Sequence, residues 1–111
     1  MNKDTASKNR ASKEKVEMFE ALHPDPAKQG TRVTKSTYDA YKAALLAVIP
    51  ATEDGIEYGA LSKAVVPHLS PELVEKTSQG WWVTSVKLDL EARGMIERVP
   101  TKGKQRVRRL S

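Results

Sequence analysis

The stretch GWWVTSVKLDLEARG, Gly80 to Gly94, constrains the fold more than any other part of the chain. Trp82, Val83, Val86 and Leu90 recur at helical spacing, and Gly94 is suited to a left-handed C-terminal stop. A helix over 78–93 is expected. With Val86 as origin and about 100° per residue, Trp82 falls near −40°, Leu90 near +40° and Val83 near +60°. These four form the core-facing stripe. On the same wheel Trp81 falls at about −140°, with Leu88, Thr84 and Glu91 on the same outer side. Two adjacent indoles cannot both aim into one core, so Trp82 is read as packing and Trp81 is left over. Three readings of Trp81 stay open. It is covered by the protein's own 14–33 extension or 70–77 segment, or it sits in a homodimer or partner interface together with Leu88, or it contacts nucleic acid.

A second helix precedes this one. Tyr38, Tyr41, Leu45 and Val48 share one helical face, Thr34 can cap its start, and Val33 and Tyr38 suit a hydrophobic staple. Ser36 with Asp39 is a rival capping box. Pro50 lies just past its end. ATEDG at 51–55 reads as a turn, and Ile56 opens a very short extended piece. Tyr58, Leu61 and Val65 share a further helical face that Pro67 should end or kink. Ser70-Pro71-Glu72 combines a cap, a first-position proline and an acid at a helix N-terminus, which marks a short helix over about 71–76. After Gly94, MIERV reads as a strand, PTKGK as a turn and QRVRRL as a second strand. Before Thr34 the reading divides. Residues 1–13 are polar and are expected to form a disordered tail. EKVEMFEALH, 14–23, suits a short helix or a strand, and periodicity cannot decide between them. HPDPAKQG then breaks the chain.

The order helix, short strand, helix, short helix, helix, hairpin is the winged-helix arrangement, a helix-turn-helix with a C-terminal β-hairpin wing. The fold class is therefore α+β, with a tail at 1–13, an N-terminal extension at 14–33 and a winged-helix domain at 34–111. A chain of 111 residues suits one such domain.

TRVTKSTYDAYKAALLAVIP together with GWWVTSVKLDLEARGMIER resembles a small bacterial family of uncharacterised winged-helix-like proteins. The likeness runs over about residues 16–111, and the paired tryptophans followed by LDLEA carry most of it. The family commonly has Asp where Thr34 stands, and either residue can cap a helix. The resemblance implies a fold and no activity. The wider winged-helix class includes both DNA-binding and protein-binding domains.

Charge supplies the functional expectation. In residues 93–111 seven cations, Arg93, Arg98, Lys102, Lys104, Arg106, Arg108 and Arg109, face only Glu97. That stretch carries +6, while the other 92 residues sum to −1 of the net +5. Lys102, Lys104, Arg106 and Arg108 are spaced by two and in an extended strand would share one face. Such a comb suits the phosphates or a minor groove of double-stranded DNA. A charged edge strand guarded against aggregation has the same composition. On the helix, Thr84, Ser85 and Lys87 are the expected groove contacts. The partly apolar outer face and the long connection before the helix both argue against a simple base-reading role, because a standard helix-turn-helix joins its helices with three or four residues.

No catalytic, metal or cofactor site is expected. His23 and His68 are the only histidines, cysteine is absent, and no phosphate loop or nucleophile motif occurs. A cysteine-free chain suits a reducing cytoplasm. No run of about 18 apolar residues is present to span a membrane. The lysine-containing N-terminus lacks the apolar stretch of a secretory signal.

Overall fold

The computed structural model describes residues 17–25, 28 and 30–110. The expected tail at 1–13, and residues 14–16 of the extension, lie outside the described residues.

The extension is a β-hairpin. Strands β1 (Met18–Ala21) and β2 (Thr31–Thr34) pair antiparallel with Phe19 opposite Val33 and Ala21 opposite Thr31. Phe19 and Ala21 face inward while Met18 and Glu20 face outward, the alternation of a half-buried strand. Gly30 lets the two strands close, because a Cβ there would lie 2.2 Å from the Ala21 carbonyl oxygen.

Helix α1 (Lys35–Val48) starts where the sequence places it, but Thr34 caps by backbone conformation alone and its hydroxyl accepts no cap bond. The Ser36–Asp39 box does not form either. Asp39 instead takes the Lys35 ammonium at 2.9 Å, and the Lys35 amide donates to the Glu17 carbonyl at 2.8 Å, which stitches α1 to the hairpin. Tyr38, Tyr41, Ala44 and Leu45 are buried.

Strand β3 (Ile56–Glu57) follows the turn, and the next helix is broken into three pieces. A 3-10 turn (Tyr58–Ala60) leads into α2 (Leu61–Ala64), and a second 3-10 turn (Val66–His68) holds Pro67. Leu61 and Val65 are fully buried, as their shared face predicts. Helix α3 (Pro71–Lys76) and helix α4 (Gln79–Ala92) begin at serine caps. Ser70 Oγ accepts from the Leu73 amide at 3.1 Å and Ser78 Oγ accepts from the Trp81 amide at 3.3 Å. Gly94 ends α4 with φ of +76°.

Strands β4 (Ile96–Val99) and β5 (Arg106–Arg109) complete a three-stranded antiparallel sheet of order β3-β5-β4. The last strand is therefore central, with Val107 opposite both Ile56 and Arg98. Gly55 (φ +64°) makes the approach of β3 to β5 possible, since a Cβ there would sit 2.1 Å from the Val107 carbonyl oxygen. The architecture is α+β, with two small sheets and four α-helices among the described residues. One apolar core joins α1, α2, α4, the hairpin and the inner face of the larger sheet.

Candidate interaction surface on helix 79–92

The wheel reads the inner face of α4 correctly. Val83, Val86 and Leu90 are buried and Trp82 packs against the same core. Trp82 stacks on the fully buried Tyr41, with ring centroids 5.5 Å apart and an interplanar angle of 14°. Trp81 meets Trp82 edge-on, with centroids 5.3 Å apart. The three rings form a column running from core to surface. Trp81 itself is 48% exposed, so among the described residues neither the extension nor the 70–77 segment covers it.

The flanks of α4 hold its charges. On one side Asp89 is fully buried. Its carboxylate accepts from the Leu22 amide at 2.8 Å, from Arg93 Nε at 2.9 and 3.0 Å, and from the Tyr38 hydroxyl. Burial, and then the bond to Asp89, hold the Tyr38 phenol well above its ordinary pKa. Arg93 also lies over the Phe19 ring, 4.9 Å from its centroid. On the other side Lys87 is 3% exposed and pairs with Glu91 at 3.1 Å, which in turn holds Arg98 at 3.0 Å. The Lys87 ammonium sits 5.0 Å from the centroid of the Tyr58 ring. Burial pushes the Lys87 pKa below its usual value, with the Glu91 hydrogen bond opposing it.

These contacts change the position of the expected groove residues. Lys87 is withdrawn into an ion pair with Glu91 against the Tyr58 ring, which only partly offsets the cost of burying its charge. Thr84 shares a hydrogen bond with the Tyr58 hydroxyl. Ser85 and Leu88 are half-buried on the outer face, and Gly80 and Ala92 are exposed. With Glu91 almost buried, the outward stripe Trp81, Ser85, Leu88 and Ala92 carries no ionised side chain.

The basic comb is divided as well. Only Arg106 and Arg108 lie in a strand, while Lys102 and Lys104 fall in the turn before β5. Arg106 donates to the Asp54 and Gly55 carbonyls at 2.7 and 3.2 Å and lies 3.8 Å from Glu57. Arg108 donates to its cross-strand partner Glu97 at 2.6 Å. Arg109 donates to the Ile49 carbonyl at the end of α1 at 2.8 Å. Lys102 and Lys104 stand exposed at the tip. The wing arginines thus serve largely to tie the sheet to itself and to the 53–57 turn.

Sequence reasoning missed Asp89, Tyr38 and Arg93 as a group, and missed Ala92 on the outer stripe. The i, i+4 spacing of Asp89 with Arg93 and of Lys87 with Glu91 was a readable signal. Tyr38 and Leu22 had none, since they reach Asp89 only through the tertiary fold. His23 and His68 are not brought together with other ligands. Among the described residues no group of three His, Asp or Glu side chains is placed to hold a metal ion. Among them also no helix is long and apolar enough to cross a membrane.

A family model described as Family of unknown function (DUF6958) matches residues 18–107. No curated protein and no solved structure matches the chain.

Proposed function

We propose that this chain, which belongs to the Family of unknown function (DUF6958), is a cytoplasmic protein-interaction module of winged-helix type that docks through the outer face of α4. The observation that carries the reading is the stripe Trp81, Ser85, Leu88 and Ala92, uncharged and outward, with a 48% exposed indole held by the ring behind it. Aromatic anchors of this kind dominate protein interfaces, and one that is already held in place loses little freedom on binding. A base-reading helix needs Arg, Lys, Asn or Gln on that face, and α4 offers none there. The winged-helix assignment draws support from the element order and from the pairing of β3 with the last strand, which closes the β3-β5-β4 sheet beside α4.

The test is a photoreactive residue installed at Leu88 in the full chain and irradiated in the cells that produce it. Protein adducts are expected there and not from the same residue at exposed Lys63 on α2. An identical, adduct-free pattern at both positions refutes the reading.

A second reading, contact with double-stranded DNA, rests on exposed Lys102 and Lys104 at the wing tip, with Arg106 and Arg108 behind them. Two lysines that neutralise two phosphates predict about a tenfold loss of affinity between about 50 and 200 mM salt. Fluorescence anisotropy with a random duplex measures this. Absence of binding at low salt removes the reading.

A further inference from the structure

We infer that the partner of the α4 outer face is a second copy of this chain, docked helix against helix and antiparallel about a twofold axis. The inference rests on the docking reading above and specifies its occupant.

The stripe is its own complement. Its residues stand at 81, 85, 88 and 92, a spacing that is unchanged when read backwards. In an antiparallel pair centred between Val86 and Lys87, Trp81 of one copy faces Ala92 of the other, and Ser85 faces Leu88. Each large side chain meets a small one, in both halves, as an isologous contact requires. Ridges fit grooves on this pattern, whereas a parallel pair would set Trp81 against Trp81 and leave Ala92 against Ala92. The exposed Gly80 and Ala92 keep the two ends of the contact shallow, so nothing bulky props the helices apart.

Charge agrees with the same geometry. The antiparallel arrangement sets the partly positive N-terminal turn of each α4 beside the partly negative C-terminal turn of the other. No ionised side chain has to be desolvated, because Lys87, Asp89, Glu91 and Arg93 are already paired on the flanks. DNA as occupant would need cations on the stripe, and there are none.

Area sets the strength. A 14-residue helix is about 21 Å long, and one of its faces falls short of the roughly 1,600 Å² of a standard interface. The association is therefore weak and reversible, and is sought at high protein concentration. The net charge of +5 per copy adds long-range repulsion. Added salt screens that repulsion and tightens the dimer, whereas it loosens any phosphate contact.

The experiment is sedimentation velocity of the full chain over a wide concentration range, with Trp81→Ala and Ala92→Trp. Both positions are exposed, so neither change disturbs the core. Wild type is expected to show a concentration-dependent monomer–dimer equilibrium. Each variant alone is expected to raise the dissociation constant at least about thirtyfold, one by leaving two holes and the other by forcing two bulky pairs together. An equimolar mixture of the two restores large against small at both ends, so heterodimers are expected to form within about threefold of the wild-type constant. A wild-type chain that stays monomeric throughout overturns the inference. So does a mixture that associates no better than its components. A monomeric wild type that still yields adducts of a foreign mass from position 88 overturns the self-partner alone and leaves the docking reading standing.

Discussion

The two flanks of α4 satisfy their charges by different means. On the Asp89 flank a fully buried carboxylate gathers donors from distant parts of the chain, Leu22 being 67 and Tyr38 51 positions away. On the Glu91 flank the partners are Lys87, one turn back on the same helix, and Arg98, whose side chain is 55% exposed. The first flank is a tertiary joint between the hairpin, α1 and α4. The second is a local ion pair with a wet end. Identical chemistry, a carboxylate with cations, therefore carries different weight according to how far its partners have travelled and whether water can replace them.

Asp89→Ala should produce the largest effect. It leaves the Tyr38 hydroxyl and the Leu22 amide without their acceptor and deprives Arg93 of its counter-charge, and a loss of about 3–5 kcal/mol is expected in chemical denaturation. An equal loss from Glu91→Ala would break the comparison.

Tyr38→Phe should come next, at about 1.5–3 kcal/mol, the range for a hydrogen bond to a charged group. It also sharpens the comparison by pH. The phenol is raised in the folded state, so its contribution is fully present below the ordinary value of 10.0 and is lost as pH climbs above it. The wild type should therefore lose stability more steeply above about pH 10 than Tyr38→Phe does, as read from urea midpoints.

Lys87→Met tests the other flank. Removing one partner of a buried ion pair is costly, but Glu91 keeps Arg98, so a loss of about 1–2 kcal/mol, below that of Asp89→Ala, is expected. Burial depresses the Lys87 pKa, so the charged form is the costly one in the fold. Its removal should also flatten any rise in stability as pH approaches the ordinary lysine value of 10.5 from below. A loss matching that of Asp89→Ala would show that both flanks are equally tertiary.

Trp81→Ala should have the smallest effect on folding, about 0.5–1.5 kcal/mol by thermal or urea unfolding, because it gives up little beyond the edge contact with Trp82. The outer stripe would then be separable from the flanks, with stability beside it and association upon it.

Local signals were the legible ones. The start of α3 at Ser70-Pro71, the stop of α4 at Gly94 and the burial of Val83, Val86 and Leu90 depend on neighbours within one or two turns. The first strand of the hairpin was not decidable, because the run 14–23 suits a short helix as well as a strand, and the second strand at Thr31–Thr34 was not read at all. What settles it is long-range, the Leu22 amide bonded to Asp89 and Phe19 under Arg93. The wing was half legible. The strands were placed to within a residue, but the period of two overreached into the turn, and the carbonyls of 53–55 that occupy Arg106 and Arg108 lie about fifty positions away in the chain. Lys87 sits at the rim of the wheel, where the presence of Tyr58 rather than helical angle decides its burial.

The column of Tyr41, Trp82 and Trp81 has an optical consequence. Two indoles in edge contact share their electronic excitations, so the pair absorbs circularly polarised light as a coupled unit. Phenol emission from Tyr41 passes on to the indole stacked on it. The only two tryptophans of the chain therefore report together on one spot, where the interior meets the outer stripe. A ligand or second chain that covers residue 81 changes that coupled signal without any label being attached.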